Sequence, residues 1–435
     1  MTSRPLHAVQ FPPSAGERML AALAAALDGS GPAILPLDPD LPEAALARAL
    51  AAFAPDAIET AAGTRALPPR PPGPQGGGSP GAGSPGGGSS EEGSPVVLAD
   101  DTAVVIATSG STGVPKGVQL SAAALTASAA ASLRRIGAGP GDRWLCCLPT
   151  FHISGIGVLV RSMLTGTEPV LTASASPAVL AASGCAHVSL VPTQLRRLLD
   201  AGCGPGVVQT VLLGGAAAAG GLLAEARAGG WRVITTYGMS ETCGGCVYDG
   251  VPLDGVRVRL GPESGQDAGD DLGQDAGRIE IGGPVLFYGY LGQPDLTAAV
   301  LRDGWFATSD LGHWQADGRL EVRGRADDVI NTGGEKVVPG EVEAVLGTCR
   351  GVADVVVVGL PDPDWGEAVT AFVVAADPAA PPELDQLRSD VRAAISAYAA
   401  PRRLVFVPEF PLLPSGKPDR AALRRIGAER AGGAR

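Results

Sequence analysis

Basic residues are scarce in this 435-residue chain. Lys and Arg total 33 against 45 Asp and Glu, so the formal net charge is -12. A protein that binds nucleic acid needs a basic excess to replace the counterions around the phosphate backbone. The charge balance therefore argues against a nucleic-acid partner.

Long apolar runs are also lacking. No run approaches the roughly 20 apolar residues needed to cross a bilayer. The apolar stretch 19–27 follows Glu17 and Arg18 and ends at Asp28, which is unlike a signal peptide. We expect a core helix there and no membrane insertion.

Paired cysteines are lacking too. The seven cysteines are scattered along a large chain, which favours reduced thiols in the cytoplasm over a secreted disulfide scaffold. Cys243 and Cys246 form one Cys-x-x-Cys pair, but no second pair follows and the chain has only four histidines. We therefore do not expect a zinc site.

Segment 68–94 is almost entirely Pro, Gly and Ser, a composition that buries too little apolar surface to order itself, and we expect a flexible loop. Beyond it, β-branched apolar runs alternate with Ala- and Leu-rich helical stretches, which predicts an α/β fold with parallel sheets and helices on both faces. The predicted strands are 103–107, 144–148, 187–191, 207–213 and 232–236, and the predicted helices are 122–135 and 194–201.

The pattern changes after residue 247. Short strands at 256–260, 278–281 and 320–323 predict a small β subdomain. Further on, the pattern predicts a helix at 341–346, strands at 355–358 and 369–374, and a helix with Leu384, Leu387, Val391, Ile395 and Tyr398 on one face. Together they predict a compact α+β lid. We expect a large domain at 1–325 and a small, mobile domain at 326–435.

The strongest chemical signal is the loop from Thr108 to Gly117, which is rich in hydroxyl groups and glycine. Successive backbone N–H groups form an anion-binding nest, the hydroxyls add donors and Lys116 adds a point charge, so the loop suits nucleotide phosphates. A flexible linker would lack the threonines and the lysine. A Walker A loop needs Ser or Thr after the lysine, whereas Gly117 follows here.

This loop resembles the phosphate loop of the adenylate-forming superfamily of acyl-CoA synthetases, adenylation domains and luciferases. Four later segments resemble motifs of that superfamily in the same order: 237–242, 304–312, 324–336 and 414–417. One departure is Ser309, which stands where the family usually has glycine. The resemblance implies ATP, Mg²⁺ and coenzyme A as reactants or cofactors, and a small-molecule carboxylic acid as substrate.

The resemblance also implies roles for individual residues. Lys417, Glu241 and Thr108 would be catalytic, with Glu241 holding Mg²⁺ and Asp327 acting as the hinge. His152 would be the gate of the acyl pocket, and Gly333, Gly334 and Lys336 would approach the thiol substrate. Asp310 would hold the ribose hydroxyls, and Gly214, Gly215 and Ala216 would lie along the edge of adenine. The residues that would contact ATP or AMP are Ser109, Gly110, Ser111, Thr112, Gly113, Lys116, Gly214, Gly215, Ala216, Tyr237, Gly238, Thr242, Asp310 and Arg325.

Segments 189–197, 212–217 and 237–247 resemble the o-succinylbenzoate-CoA ligases of menaquinone biosynthesis more than other branches. A ligase for another aromatic or medium-chain acid and a catalytically silent adenylate-binding protein are the alternatives. A dicarboxylic substrate needs a cation for the carboxylate that does not react, and Arg197 is the candidate from sequence. The sequence leaves open whether the chain forms a homo-oligomer.

Overall fold

A computed structural model describes residues 4–68, 98–108, 115–218, 220–261, 276–413 and 417–432. The flexible loop predicted at 68–94 lies outside these ranges except for Pro68. Phosphate-loop residues 109–113 also lie outside them. No helix in the described ranges is long and apolar enough to cross a membrane.

The first sheet has seven strands in the order β16-β6-β5-β2-β1-β3-β4 among the described residues. Strands β1, β2, β3 and β5 run parallel, and antiparallel partners flank them. The strands are β1 (Leu6–Gln10), β2 (Ala33–Pro36), β3 (Ala57–Thr60), β4 (Gly63–Ala66), β5 (Thr102–Thr108), β6 (Lys116–Ser121) and β16 (Gly289–Tyr290).

The second sheet also has seven strands where the chain is described, in the order β13-β12-β11-β10-β9-β7-β8. Its members from β7 to β11 pair in parallel, and β12 and β13 close one edge antiparallel. The strands are β7 (Trp144–Cys146), β8 (Val170–Leu171), β9 (His187–Leu190), β10 (Thr210–Leu213), β11 (Val233–Met239), β12 (Gly244–Tyr248) and β13 (Val251–Pro252).

Helices cover both sheets. The segment predicted as a core helix lies in α1, which buries Met19, Leu23 and Ala26 on one face and ends at Gly29 in the left-handed region. Helix α3 begins where the Ser121 hydroxyl accepts a hydrogen bond from the Ala124 N–H, and it contacts both sheets. The helices are α1 (Gly16–Asp28), α2 (Glu43–Phe53), α3 (Ala122–Ile136), α4 (Ile153–Thr165), α5 (Pro177–Ser183), α6 (Pro192–Asp200) and α7 (Gly220–Ala228).

A smaller antiparallel sheet of five strands follows in the described chain, with the helix α8 (Pro294–Val300) beside it. Its strands are β14 (Arg257–Gly261), β15 (Ala276–Gly282), β17 (Leu301–Arg302), β18 (Trp305–Trp314) and β19 (Leu320–Arg325). This is the β subdomain expected from the short strands after residue 247.

The C-terminal part is built on a further sheet, in which β24 pairs parallel with β23 and the other pairs are antiparallel. Its strands are β20 (Ile330–Thr332), β21 (Glu335–Val337), β22 (Val352–Asp362), β23 (Gly366–Ala375) and β24 (Arg403–Phe406). Its helices are α9 (Pro339–Leu346), α10 (Leu384–Ala394) and α11 (Arg420–Gly432).

The α/β class with a smaller α+β part is confirmed. Three local predictions were too long by two residues or more. The strand expected at 144–148 ends at Cys146, the strand expected at 207–213 begins only at Thr210, and the apolar face expected to continue to Tyr398 leaves the helix at Ala394. The hydrophobic pattern of a sequence follows burial. Buried residues that flank a helix or strand can continue its pattern, so a prediction from the pattern extends past the end of the element.

Strand β19 packs closely against α9, at the junction of the large and small parts. A Cβ on Gly340 would collide with the carbonyl oxygen of Arg323, and one on Gly324 would lie 2.7 Å from Val338 Cγ1. An ion pair of 3.2 Å between Arg323 Nε and Glu341 Oε1 spans the same contact. The two parts therefore meet backbone to backbone at this point.

Candidate active site

Thr108 and Lys116 lie opposite each other at the open end of the β5–β6 hairpin. The Thr108 hydroxyl donates to the carbonyl oxygen of Lys116 across 3.4 Å. The predicted phosphate loop is therefore the connection between two paired strands, whose ladder fixes both of its ends.

Glu241 is held by a tyrosine that the sequence motifs did not single out. The buried hydroxyl of Tyr290 donates to Glu241 Oε1 over 2.8 Å, and Lys116 Nζ lies 5.2 Å from the centre of the same ring. Desolvation and the Glu241 carboxylate raise the pKa of Tyr290. Tyr290 thus joins the phosphate-loop lysine to the predicted metal ligand.

A second tyrosine–carboxylate pair lies at the end of β11. The Tyr237 hydroxyl donates to Asp310 Oδ2 over 2.8 Å. Desolvation raises the pKa of Asp310, opposed by the hydrogen bond from Tyr237 and by the charges of Arg325 and Lys417. Desolvation and Asp310 together raise the pKa of Tyr237, so it stays a neutral donor.

Asp310 is presented by an irregular stretch of β18. The register of β18 against β15 shifts next to Ile279, where the Thr308 hydroxyl donates to the Ile279 carbonyl over 2.8 Å and accepts from the Asp310 N–H over 3.0 Å. Bulges of this kind re-aim a side chain beside a site. Ser309, the departure from the family pattern, lies within this stretch in extended backbone.

The predicted adenine segment, Gly214, Gly215 and Ala216, directly follows β10. A Cβ on Gly214 would collide with the Thr236 hydroxyl, and Gly215 has a φ of 85°, which favours glycine. Gly214 is therefore required by its close contact with Thr236, and Gly215 by its backbone conformation.

The segment after Tyr237 makes a tight turn that depends on Gly238 and Thr242. A Cβ on Gly238 would collide with the carbonyl oxygen of Gly244. Thr242 is fully buried, and its hydroxyl accepts from the Met239 N–H over 3.0 Å and donates to the Gly244 carbonyl over 2.8 Å. Thr242 therefore holds the turn that presents Glu241.

Lys417 lies where the backbone of 411–413 pairs with that of 417–419. Its side chain keeps contact with solvent, yet desolvation is the main influence on its pKa and lowers it. Asp310 and Glu241 raise that pKa and Arg325 lowers it further. The lysine at the end of the sequence is therefore electrostatically coupled to both tyrosine–carboxylate pairs.

Arg325 lies between the large part and the 3-10 turn Ala326–Asp328. Its Nη2 donates to Asp327 Oδ2 over 2.9 Å, and its Nη1 is 3.7 Å from Asp310 Oδ1. Desolvation lowers the pKa of Arg325, but the carboxylates of Asp310, Asp327 and Asp328 outweigh it and raise the pKa overall. The predicted hinge aspartate thus shares its cation with the predicted ribose aspartate.

His152 precedes α4, with its ring centre 4.7 Å from that of Phe151. Its Nε2 is buried without a hydrogen-bond partner in the described part of the chain. Desolvation and the charge of Lys417 lower the pKa of His152, and Asp38 opposes them. His152 is therefore a neutral imidazole with an unused ring nitrogen, and it feels the charge of Lys417.

Gly333, Gly334 and Lys336 belong to the β20–β21 hairpin of the C-terminal sheet. Gly333 and Gly334 have φ values of 63° and 90°, the left-handed pair that a two-residue hairpin turn needs. The Gly333 N–H donates to the Trp365 carbonyl over 2.8 Å, and Lys336 is exposed.

The two arginines of α6 differ in their surroundings. Arg196 Nη1 pairs with Glu225 Oε2 over 2.7 Å and with Asp200 Oδ1 over 3.3 Å. Arg197 is exposed and, with Gln194 and segment 173–177, lines a cavity of about 310 Å³. Among the described residues no hydrogen bond or ion pair occupies the Arg197 guanidinium.

The sequence reasoning missed Arg161. It lies in α4, its guanidinium is 4.5 Å from the centre of the Trp144 ring, and its Nη2 donates to the Ser189 hydroxyl over 3.1 Å. Its Nε is buried without a partner, and no carboxylate pairs with it in the described chain. Desolvation lowers the pKa of Arg161. A single arginine in an otherwise apolar helix was the signal that could have found it.

Cys243 and Cys246 are both buried, and no cluster of three metal-ligating side chains occurs among the described residues. Burial raises the pKa of Cys246 to about 12 and that of Cys243 further. Neither thiol is poised to ionise near neutral pH.

Taken together, Lys116, Arg325 and Lys417 supply three cations around two carboxylates, each carboxylate fixed by a tyrosine. Phosphate groups need such cations, and a divalent metal needs such a carboxylate. The arrangement suits a nucleoside triphosphate with a bound divalent metal ion.

Comparison with protein families agrees with this chemistry. A family model described as AMP-binding enzyme matches residues 15–291, and a model described as AMP-binding enzyme C-terminal domain matches residues 341–417. Together the two models cover both the large and the small part.

Among curated proteins, a probable 2-succinylbenzoate–CoA ligase of Mycobacterium tuberculosis is 46% identical over 345 residues, covering 76% of this chain and 86% of that protein. A 2-succinylbenzoate–CoA ligase of Listeria monocytogenes is 33% identical, covering 74% of this chain and 70% of the relative. Among solved structures, the o-succinylbenzoate CoA synthetase of Bacillus subtilis in complex with its acyl-adenylate intermediate aligns with a TM-score of 0.76 at 26% identity, covering 97% of this chain and 89% of that one.

Proposed function

Because this chain belongs to the AMP-binding enzyme family, we propose that it is an ATP-dependent acid–thiol ligase that converts o-succinylbenzoate to o-succinylbenzoyl-CoA. AMP and pyrophosphate are the other products. The observation that carries the proposal is the pair of carboxylates fixed by tyrosines, Glu241 by Tyr290 and Asp310 by Tyr237, in a chain whose relatives are named for this reaction.

In the first half-reaction, a substrate carboxylate oxygen attacks the α-phosphorus of ATP. The new bond gives an acyl-adenylate, and the bond to pyrophosphate breaks. Lys116, Lys417 and Arg325 offset the phosphate charge, and the chemistry is mainly positioning and electrostatics. The hydroxyls and N–H groups of 108–113 add donors to the same phosphates.

The nucleoside is held at the ends of β10 and β11. The Tyr237 ring packs on adenine, and the backbone at Gly214, Gly215 and Ala216 lies along the base edge. Asp310 accepts from the ribose hydroxyls, and its bond to Tyr237 keeps it aimed at them.

Glu241 fits a magnesium ion brought in by the nucleotide. Its Oε1 is used by Tyr290, which leaves Oε2 to reach a cation, and Mg²⁺ typically takes one or two carboxylates together with substrate phosphates and water. When bound, Mg²⁺ would neutralise phosphate charge during displacement of pyrophosphate.

In the second half-reaction, the thiol of CoA attacks the acyl carbon and AMP leaves. We propose that the part after Asp327 rotates, removing Lys417 and bringing Gly333, Gly334 and Lys336 toward the thiol. Such a rotation must break the Arg323–Glu341 ion pair and the contact between β19 and α9. We accordingly place the proposed domain boundary at 325–326. We propose the cytoplasm as the location, because it supplies ATP and CoA.

o-Succinylbenzoate has a ring carboxylate that must not react. A desolvated carboxylate needs a cation, and a buried guanidinium needs an anion. Arg161 is a partly buried cation without a carboxylate partner in the described chain, and its Nε is buried. It lies in the helix that begins beside His152, and its hydrogen-bond partner Ser189 precedes Val191, whose Cγ1 would be 3.2 Å from a Cβ on Gly215. We propose that Arg161 binds the ring carboxylate. Arg197, the candidate predicted from sequence, lines a cavity of its own and is the alternative.

The test is ATP–pyrophosphate exchange with a panel of acids, followed by thioester formation with CoA. The panel contains o-succinylbenzoate, 4-oxo-4-phenylbutyrate (the same acid without the ring carboxylate), benzoate and a medium-chain fatty acid. We expect o-succinylbenzoate to be preferred by at least about thirtyfold in kcat/KM, the equivalent of roughly 2 kcal/mol. Equal use of 4-oxo-4-phenylbutyrate would refute the dicarboxylate assignment, and absence of exchange with every acid would refute the ligase.

A further inference from the structure

A cavity of about 430 Å³ lies away from the proposed active site and is bordered by four arginines, Arg135, Arg227, Arg232 and Arg319. They come from four elements: the end of α3, the end of α7, the start of β11 and the turn between β18 and β19. The chain carries a net charge of -12, so four guanidinium groups around one cavity run against its overall charge.

The charge of these arginines is only partly compensated. Arg135 donates to the Pro252 carbonyl over 2.7 Å, and Arg232 donates to the Ile136 carbonyl over 3.0 Å and to the Thr210 hydroxyl over 2.8 Å. These acceptors are neutral oxygens. They position the guanidinium groups without cancelling their charge.

Two carboxylates adjoin the cluster within the described chain. Asp249 lines the cavity, and its Oδ1 accepts from the N–H and hydroxyl of Thr235 over 2.9 and 3.0 Å. Asp317 lies 3.2 Å from Arg319 Nε. The Arg227 side chain makes no ion pair or hydrogen bond with the described residues. Four arginines beside two carboxylates therefore leave an excess of two positive charges.

The cavity is separate from the nucleotide site. Val233 and Ile234, at the start of β11, line it, whereas Tyr237 at the far end of the same strand belongs to the active site. Three residues of extended strand span roughly 10 Å. In parallel sheets, substrates bind at the carboxyl ends of the strands, and this cavity lies at the opposite ends of β10 and β11.

We propose that this cavity binds a small anion with at least two negative charges, carried by phosphate or carboxylate groups. Its volume is in the range of small-molecule sites, roughly 300–1,000 Å³. Guanidinium groups bind carboxylate and phosphate through two parallel hydrogen bonds, and three of the four arginines are exposed and accessible to a ligand. An excess of two charges matches a ligand with at least two negative charges.

The test is isothermal titration calorimetry on the full chain without Mg²⁺, with citrate as the carboxylate probe and inorganic phosphate as the phosphate probe. Each titration is repeated with saturating AMP, which fills the nucleotide site. The variant Arg227→Ala/Arg319→Ala removes Arg227, whose side chain makes no ion pair or hydrogen bond within the described ranges, and Arg319, whose ion pair with Asp317 is exposed. The matched control, Arg65→Ala/Arg302→Ala, removes the same charge from exposed positions elsewhere.

We expect one ion per chain to bind with and without AMP. Binding should weaken at least about tenfold in the cavity variant and stay within about twofold in the control, since only the cavity variant loses charged hydrogen bonds to the ion. The probe that binds more tightly distinguishes a carboxylate ligand from a phosphate ligand.

The proposal is overturned if neither ion binds up to about 10 mM, if AMP abolishes the binding, or if the cavity variant binds like the wild type. If the double variant has a lowered thermal midpoint, the single variant Arg227→Ala replaces it and must still weaken binding. Unchanged binding in that variant overturns the proposal equally.

Discussion

Replacing Arg161 with methionine should separate stability from substrate recognition. Methionine has a similar length and no charge, so it occupies the space beside Trp144 without the guanidinium. If Arg161 serves the substrate, the folded protein has little need of its charge. If it is structural, its loss should destabilise the fold.

The structure sets the size of the stability change. The variant loses a cation–π contact with Trp144, typically 0.5 to about 2 kcal/mol, and a hydrogen bond to Ser189 that contributes about 1 kcal/mol. The guanidinium is a desolvated charge without a carboxylate partner, which destabilises the folded state, so its removal contributes stability. Since these terms oppose one another, we expect the free energy of unfolding to change by less than about 1–2 kcal/mol.

The functional change should be much larger. Leaving the ring carboxylate buried without its cation costs about 2–5 kcal/mol, which corresponds to a loss of at least about thirtyfold in kcat/KM for o-succinylbenzoate. The KM for ATP should not change. Discrimination against 4-oxo-4-phenylbutyrate should largely disappear, because that acid never used Arg161.

The assays are urea unfolding followed by tryptophan fluorescence, and ATP–pyrophosphate exchange with each acid. Arg197→Met is the control, since it removes an exposed arginine from α6. If Arg161→Met unfolds at much lower urea while its discrimination between the two acids is intact, Arg161 is structural. If the substrate effects appear in Arg197→Met instead, the sequence-based candidate is the right one.

Three further predictions concern the two half-reactions. Lys417→Ala should abolish adenylate formation but leave thioester formation from a supplied acyl-adenylate largely intact; single-turnover assays of each step check this, and equal loss in both would contradict it. Asp327→Pro should do the reverse, because a fixed φ blocks rotation after adenylation, and a normal thioester step would place the hinge elsewhere. The pKa of Lys417 is lowered, so its charge is lost at a lower pH than that of an ordinary lysine. Adenylation should therefore fall as the pH rises through the alkaline range, whereas a Lys417→Arg variant that retains activity should fall later.

Residues within contiguous motifs could be predicted from the sequence. Asp310, Arg325 and Lys417 each lie in a short segment whose spacing resembles the family, and the structure couples their charges. The helix containing Met19 and the strand containing Val105 follow from local periodicity, because burial of one face is a local property of the chain.

Residues brought in from distant elements could not be predicted in this way. Tyr290 reaches Glu241 from a two-residue strand 49 positions away, and no local pattern marks a strand that short. Arg161 is meaningful only because no carboxylate folds against it, which is a property of the packed structure. Sequence reasoning proposed Arg197 in α6 because charge can be read from the sequence, whereas the buried Nε that makes Arg161 a second candidate cannot.

The contact between Gly324 and Gly340 has a consequence for how the chain distributes itself between conformations. With no side chain at Gly340, α9 lies against the Arg323 carbonyl, and an alanine there would force the two apart. Overpacking of this kind costs typically 1–3 kcal/mol. The cost applies only where β19 and α9 touch, so it would shift the equilibrium between the two conformations by roughly 5- to 150-fold away from the one described here. Under the proposed rotation, the two glycines would influence the ratio of adenylate-forming to thioester-forming molecules without contacting a substrate.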